Sequence, residues 1–175
     1  MTEAPSSSSA AELRRLARQC GDLLLDARLR LASAESCTGG LVASTCTAIP
    51  GSSEWFECAF VTYRIAAKQR LLGVSDDTLR RWGAVSEPTA KEMALGALRH
   101  CDADIAVSVT GVAGPSGGDV ANPVGTVWFA WTTRSPNDLQ VVQTARHVFL
   151  GNREQIRRAA VATALRGVLA CLASA

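Results

Sequence analysis

Two short apolar runs that each empty into a turn of hydroxyl and glycine residues constrain this chain more than any other feature. Arg30-Leu31-Ala32-Ser33-Ala34 reads as a buried strand and leads into Glu35-Ser36-Cys37-Thr38-Gly39-Gly40, after which Gly40 to Ile49 reads as a helix closed by Pro50-Gly51. Ile105-Ala106-Val107-Ser108-Val109 is a near-continuous apolar run, the pattern of a strand covered on both faces. It leads into Thr110-Gly111-Val112-Ala113-Gly114-Pro115-Ser116-Gly117-Gly118, where five of nine residues are Gly or Pro and the backbone is free to approach a ligand closely. A helix start offers backbone N–H groups to an anion, and two such turns at strand ends predict a shared pocket there.

The remaining pattern alternates. Leu13, Leu16, Ala17, Cys20, Leu23, Leu24 and Ala27 form one stripe at helical spacing over Ala11 to Leu29. Trp55 to Tyr63 reads as a second strand and Ile65 to Leu72 as a short helix ending at Gly73. Ser75-Asp76-Asp77 and Ser86-Glu87-Pro88 have the grammar of helix starts. Strands are expected at Asp104 to Val109, Gly125 to Thr133 and Gln140 to Leu150, the last two joined as a hairpin by Ser135-Pro136-Asn137-Asp138. Asn152 is expected to cap a long helix through Ala173. Strands mixed with helices on this scale predict an α/β layered sheet that is mixed in direction, with both faces covered. At 175 residues, 47% hydrophobic and a net charge of +2, the chain suits one domain from residue 11 to 175. The serine-rich stretch from Met1 to Ala10 is expected to be a disordered tail rather than a signal peptide.

Several classes of function lose support from composition alone. No segment approaches the roughly 20 apolar residues of a membrane span, so a soluble, cytoplasmic protein is expected. Six cysteines without a Cys-x-x-Cys pair sit mostly in apolar runs, which argues for free thiols in a reducing compartment. Two histidines, His100 and His147, with no carboxylate at ligand spacing make a metal hydrolase or a Ser-His-Asp triad improbable. A near-neutral balance of acids and arginines gives nucleic-acid binding little electrostatic support.

Lysine usage is the sharper clue. Of 18 basic residues only Lys68 and Lys91 are lysines. Arginine does not give up its proton in a protein, whereas a desolvated lysine amine can act as a general base. Lys91, four residues after Glu87, reads as half of a solvated i,i+4 pair. Lys68 follows the run that ends at Tyr63, so Tyr63 and Lys68 leave a third strand end together and could flank the same pocket.

Seven ordered motifs carry a resemblance. Ala34-Glu35-Ser36-Cys37-Thr38-Gly39-Gly40, Pro50-Gly51-Ser52-Ser53, Val61-Thr62-Tyr63 with Lys68, Leu72-Gly73-Val74, Gly83-Ala84-Val85-Ser86, Val109 to Pro115 and Pro123-Val124-Gly125-Thr126-Val127 follow the order seen in the CinA C-terminal family. The chain resembles that family from about Leu13 to Ala170, in its stand-alone amidohydrolase type. The resemblance implies a three-layer α/β/α sandwich, frequent dimerisation, no cofactor, and metal-independent hydrolysis of the carboxamide of nicotinamide mononucleotide to nicotinic acid mononucleotide and ammonia. Arg64-Ile65 and Asn122 depart from the family's common pattern.

Amide hydrolysis without metal needs a nucleophile, a base, oxyanion donors and a proton for the departing ammonia. Ser53 and Ser36 are the nucleophile candidates, with Ser53 preferred because it precedes the strand that delivers Tyr63 and Lys68; Cys37 is a weaker third. Lys68 is the expected base, and Tyr63 a proton relay or an orienter of that base. Glu35, Thr38, Gly39 and Gly40 are assigned to substrate binding, and Thr110, Gly111, Gly114 and Arg153 to ribose or phosphate. The alternative readings are a non-catalytic nucleotide-binding or regulatory module using the same pocket and, on the family's naming alone, a nucleic-acid-associated competence protein.

Overall fold

Hydrophobic patterning resolves into helices on both faces of a five-stranded sheet in the computed structural model, which describes residues 8–135 and 138–173. In chain order the elements are α1 (Ala10–Ala27), β1 (Leu31–Glu35), α2 (Leu41–Thr47), β2 (Phe56–Val61), α3 (Ile65–Leu72), α4 (Asp76–Trp82), α5 (Glu87–Arg99), β3 (Ile105–Gly111), β4 (Thr126–Ser135), β5 (Asp138–Val148) and α6 (Arg153–Ala173). A 3₁₀ turn at Ser52–Glu54, not expected from the sequence, precedes β2.

The sheet order is β2-β1-β3-β4-β5, with β2, β1 and β3 parallel and β4 and β5 antiparallel. The expected hairpin pairing is present, Ser135 opposite Asp138, although Pro136 and Asn137 of its turn lie outside the described residues. Met1 to Ser7 also lie outside them. Ser9, placed in the tail by the sequence reading, is instead the N-cap of α1, its side chain accepting from Glu12 N at 3.1 Å.

Alternation along the strands divides the core. Leu31, Ile105, Val107, Val109, Val127, Phe129 and Trp131 face α1, α2 and α6. Ala32, Ala34 and Ala106 face the layer of α3, α4 and α5 with Leu72, Met93 and Leu98. Glycine permits the closest approaches: α6 lies against Trp131, where a Cβ on Gly167 would overlap the indole, and the indole Nε1 donates to Ala164 O at 2.9 Å. Asn152 and Gln155 cap α6 reciprocally, Gln155 N to Asn152 Oδ1 at 3.0 Å and Asn152 N to Gln155 Oε1 at 2.8 Å.

The same alternation sends Glu35, fully buried, into the α2 layer. Its Oε2 accepts from Gly40 N at 3.0 Å and Val42 N at 3.1 Å, and its Oε1 from Ala43 N at 2.9 Å and Ser33 Oγ at 3.1 Å. Four donors on two oxygens is the acceptor-only pattern of a carboxylate, here seated on the positive end of a helix. The site that the sequence offered to a substrate anion is filled by the chain's own side chain. Glu35→Gln, which turns an NH₂ towards those N–H donors, should lower unfolding free energy by about 2–4 kcal/mol, measured by urea denaturation; a change below about 0.5 kcal/mol would mean the carboxylate does not hold α2.

Candidate active site

Ser36 follows the last residue of β1, and its amide donates to Val109 O on β3 at 2.9 Å, so the first turn leaves the sheet at the carboxyl ends of β1 and β3. Gly39 and Gly40 have φ of +58° and +90°, which only glycine adopts at little cost, and they double the chain back into α2. Beside it β2 runs parallel, with Glu35 opposite Val61 and Thr62 N donating to Glu35 O at 2.8 Å. The chain then reverses through Tyr63-Arg64 into α3. Lys68 and Leu72, four residues apart and both about 1% exposed, form its inward face.

Lys68 therefore enters the site from below α3. Its Nζ lies 2.9 Å from Ser36 Oγ and 2.6 Å from Thr62 O. No carboxylate among the described residues forms an ion pair with it. Burial without a counter-charge disfavours the ammonium and lowers the Lys68 pKa from 10.5 to about 8. Lys91 shows the opposite environment, pairing with Glu87 at 2.7 Å with its side chain 43% exposed.

Ser53 is not placed to share this chemistry. Trp55 O accepts from Leu31 N, the first residue of β1, so Ser53 stands, exposed, at the amino ends of the parallel strands. Five residues of strand, about 16 Å, separate that end from Ser36. Cys37 is buried and its thiol is pushed up to about 12 by burial, which keeps it protonated. His100 Nδ1 lies 2.7 Å from Gly96 O, and His147 stacks on Phe149 at 5.4 Å. Among the described residues, no group of three His, Cys, Asp or Glu side chains could hold a metal ion.

Tyr63 is 57% exposed, and its hydroxyl accepts from Arg153 Nη2 at 2.8 Å rather than contacting Lys68. The group that orients Lys68 is the Thr62 carbonyl, which a sequence reading of side chains does not register. Arg153 also donates through Nη1 to Gly114 O at 2.7 Å, tying α6 to the second glycine turn. One helical turn later Arg157 Nη2 donates to Thr38 O at 2.6 Å. Arg157 was missed; its signal was the i,i+4 spacing from Arg153, which puts both guanidinium groups on one face of α6. The buried Thr38 and Thr62 hydroxyls and Arg157 Nε have no hydrogen-bond partner among the described residues.

The second turn differs from expectation in two places. Thr110 is 1% exposed and its hydroxyl donates to Ala84 O at 2.6 Å, so it braces the loop before α5 instead of facing a ligand. Gly111 lies opposite Val127, and a Cβ there would come within 2.5 Å of Thr126 O, so close strand pairing accounts for this glycine. Gly114, with φ +74°, is placed to present its carbonyl to Arg153. Of the departures from the common pattern, Arg64 is the N-cap of α3 with Ile65 exposed beside it, and Asn122 N donates to Asp119 Oδ1 at 2.7 Å in the loop before β4.

Comparison with known proteins places this architecture. A family model described as the CinA C-terminal domain matches residues 13–172. The chain is 49% identical over 156 residues to the nicotinamide-nucleotide amidohydrolase PncC of Escherichia coli K12, covering 89% of this chain and 92% of that one. The protein of the same name from Pseudomonas putida is 46% identical over 154 residues, covering 88% and 93%. A crystal structure of a competence/damage-inducible protein from Agrobacterium tumefaciens superposes with a TM-score of 0.84 at 40% identity, covering 97% of this chain and 98% of that one. A CinA superfamily protein from Escherichia coli superposes with a TM-score of 0.84 at 37% identity, covering 95% and 94%. With the family model spanning nearly all of the described fold and these relatives matching along almost their whole length, the chain belongs to the CinA C-terminal domain family.

Proposed function

We propose that the protein hydrolyses the carboxamide of nicotinamide mononucleotide, giving nicotinic acid mononucleotide and ammonia, with Ser36 as nucleophile and Lys68 as base, in cytoplasmic pyridine-nucleotide salvage. The observation that carries this reading is the buried amine 2.9 Å from a serine hydroxyl, with a pKa of about 8. The substrate is inferred from the relatives that match most of the chain, which are nicotinamide-nucleotide amidohydrolases.

As a neutral amine, Lys68 donates to Thr62 O and turns its lone pair to the Ser36 hydroxyl, which then donates to it. Attack of Ser36 Oγ on the amide carbon transfers that proton to Nζ. The amides of Gly39, Gly40, Leu41, Val42 and Ala43 are engaged within the turn and helix or by Glu35. The Cys37 amide faces its own thiol, and that of Thr38, two residues after the nucleophile, is the remaining oxyanion donor. The Lys68 ammonium gives its proton to the departing nitrogen, releasing ammonia and an ester on Ser36. Water, deprotonated by the same amine, attacks the ester and returns the proton to Ser36 Oγ, leaving the carboxylic acid. The exposed Tyr63–Arg153 pair stands at the mouth, where a phosphate-bearing substrate would meet a guanidinium.

Purified protein dialysed against EDTA should release ammonia from nicotinamide mononucleotide; its absence under conditions where the fold is intact would sink the activity. Lys68→Arg keeps the charge but not the base, and should lower kcat by at least about 10²-fold. Since the deprotonated amine is the active form, kcat/KM should rise about tenfold per unit below pH 8 and level off above it. A flat profile from pH 6 to 9 would remove Lys68 from the role of base.

The two serines are separable by the same assay. Ser36→Ala should cost on the order of 10³-fold or more in kcat, while Ser53→Ala, altering an exposed residue at the other end of the strands, should stay within about twofold. Loss of turnover in Ser53→Ala with a normal Ser36→Ala would reverse the assignment.

A further inference from the structure

Four tryptophans divide cleanly by environment. Trp55 and Trp131 are 1% exposed and belong to the core, whereas Trp82, the last residue of α4, is 59% exposed. Trp128 lies on β4 with Thr110 opposite on one side and Arg146 opposite on the other, so its indole and the Arg146 guanidinium share a face. Trp82 and Trp128 line one cleft of about 390 Å³ together with Val85, Pro88, Asn122 and Arg146. The two indoles make no ring contact with each other. A gap between two aromatic walls is where a flat ring can stack.

An exposed tryptophan alone would be an unremarkable surface residue. Two further observations and one general property of indole suit this one to a ligand. The volume lies at the lower end of the range of about 300–1,000 Å³ for small-molecule sites, which suits a mononucleotide rather than a larger molecule. Indole is the aromatic side chain that best attracts a cationic ring. The Arg146 Nη2 donates to Ala121 O at 3.0 Å, which holds the guanidinium at the rim with its remaining N–H groups free for a phosphate.

We propose that this cleft binds a planar cationic heterocycle carrying a phosphate, a pyridinium mononucleotide, at a site that shares no residue with the Ser36–Lys68 pair. Binding there does not depend on amide hydrolysis. It does touch the same framework: the loop that carries Val85 is braced through Ala84 O by Thr110, which adjoins the Val109 carbonyl that holds Ser36 N.

Titration of the Ser36→Ala protein with nicotinamide mononucleotide, followed by tryptophan fluorescence and by calorimetry, tests the cleft while the ligand stays intact. Saturable quenching is expected, since only Trp82 and Trp128 are accessible. Adding Trp82→Ala should weaken the binding read from Trp128 by about tenfold or more. Nicotinamide riboside, without the phosphate, should bind about tenfold more weakly, and Arg146→Gln should erase that difference. Quenching that grows linearly without saturation would overturn the proposal, as would an affinity unchanged by Trp82→Ala in a protein whose circular dichroism is normal. Ammonia release by the unmodified protein is read separately, so either result leaves the hydrolytic reading to its own assay.

Discussion

A carboxylate with no solvent and four donors is the interaction on which the rest of this site depends. Glu35 closes β1 and immediately caps α2, so the residues between them, Ser36 to Gly39, have little freedom to move. Such a bond set is stronger than a neutral cap because the acceptor is charged and the helix end is positive. The arrangement also decides what the turn can do. With three of the α2 amides taken by Glu35, the helix start is unavailable to a ligand's anion, and the turn serves to present a hydroxyl.

Lys68 is the complementary case, a charged group held where charge is disfavoured. Its neighbours are a hydroxyl, a carbonyl and the Cys37 sulfur, and the last offsets only part of the desolvation of an ammonium. An arginine could occupy the same space only as a cation, so the proposed role of Lys68 as base fits a lysine at this place in a chain that writes almost all of its positive charge as arginine. The same desolvation that weakens the folded state at neutral pH makes the amine usable as a base, a local conflict of the kind found where function overrides stability.

The elements, the hairpin and a mixed sheet covered on both faces were legible because alternation and helical stripes act over many residues. Direction and parity were harder to see. Ser53 lies close in sequence to the strand that delivers Tyr63 and Lys68, but a strand carries its two ends apart, and Ser53 marks the start while Lys68 follows the finish. Thr110 was misplaced for a related reason. A run apolar on both faces hides which way each residue points, and Thr110 turns out to share the face of Ala106 and Ser108, towards α5 and the Ala84 carbonyl. Glu35 was read as ligand-facing because the filling of a helix end by a residue five positions earlier leaves no mark in local composition.

The parts of the site drawn from distant sequence are joined by one face of α6. Arg153 reaches the second glycine turn and Tyr63, and Arg157 reaches the first turn at Thr38, so two side chains one helical turn apart span both turns and the end of β2. Each bond is modest alone and partly exposed in the case of Arg153, which limits its contribution. Their value is geometric. The carboxyl ends of β1, β2 and β3 are fixed relative to one another by backbone pairing, but the turns beyond them are not. A helix locked to the sheet through Trp131 and Gly167 carries those two guanidinium groups as a rigid unit. Alignment of a serine from one strand end with a lysine from the helix after another therefore rests on sheet pairing below and on α6 above, and the Ser36–Lys68 distance is a property of the whole fold rather than of either turn.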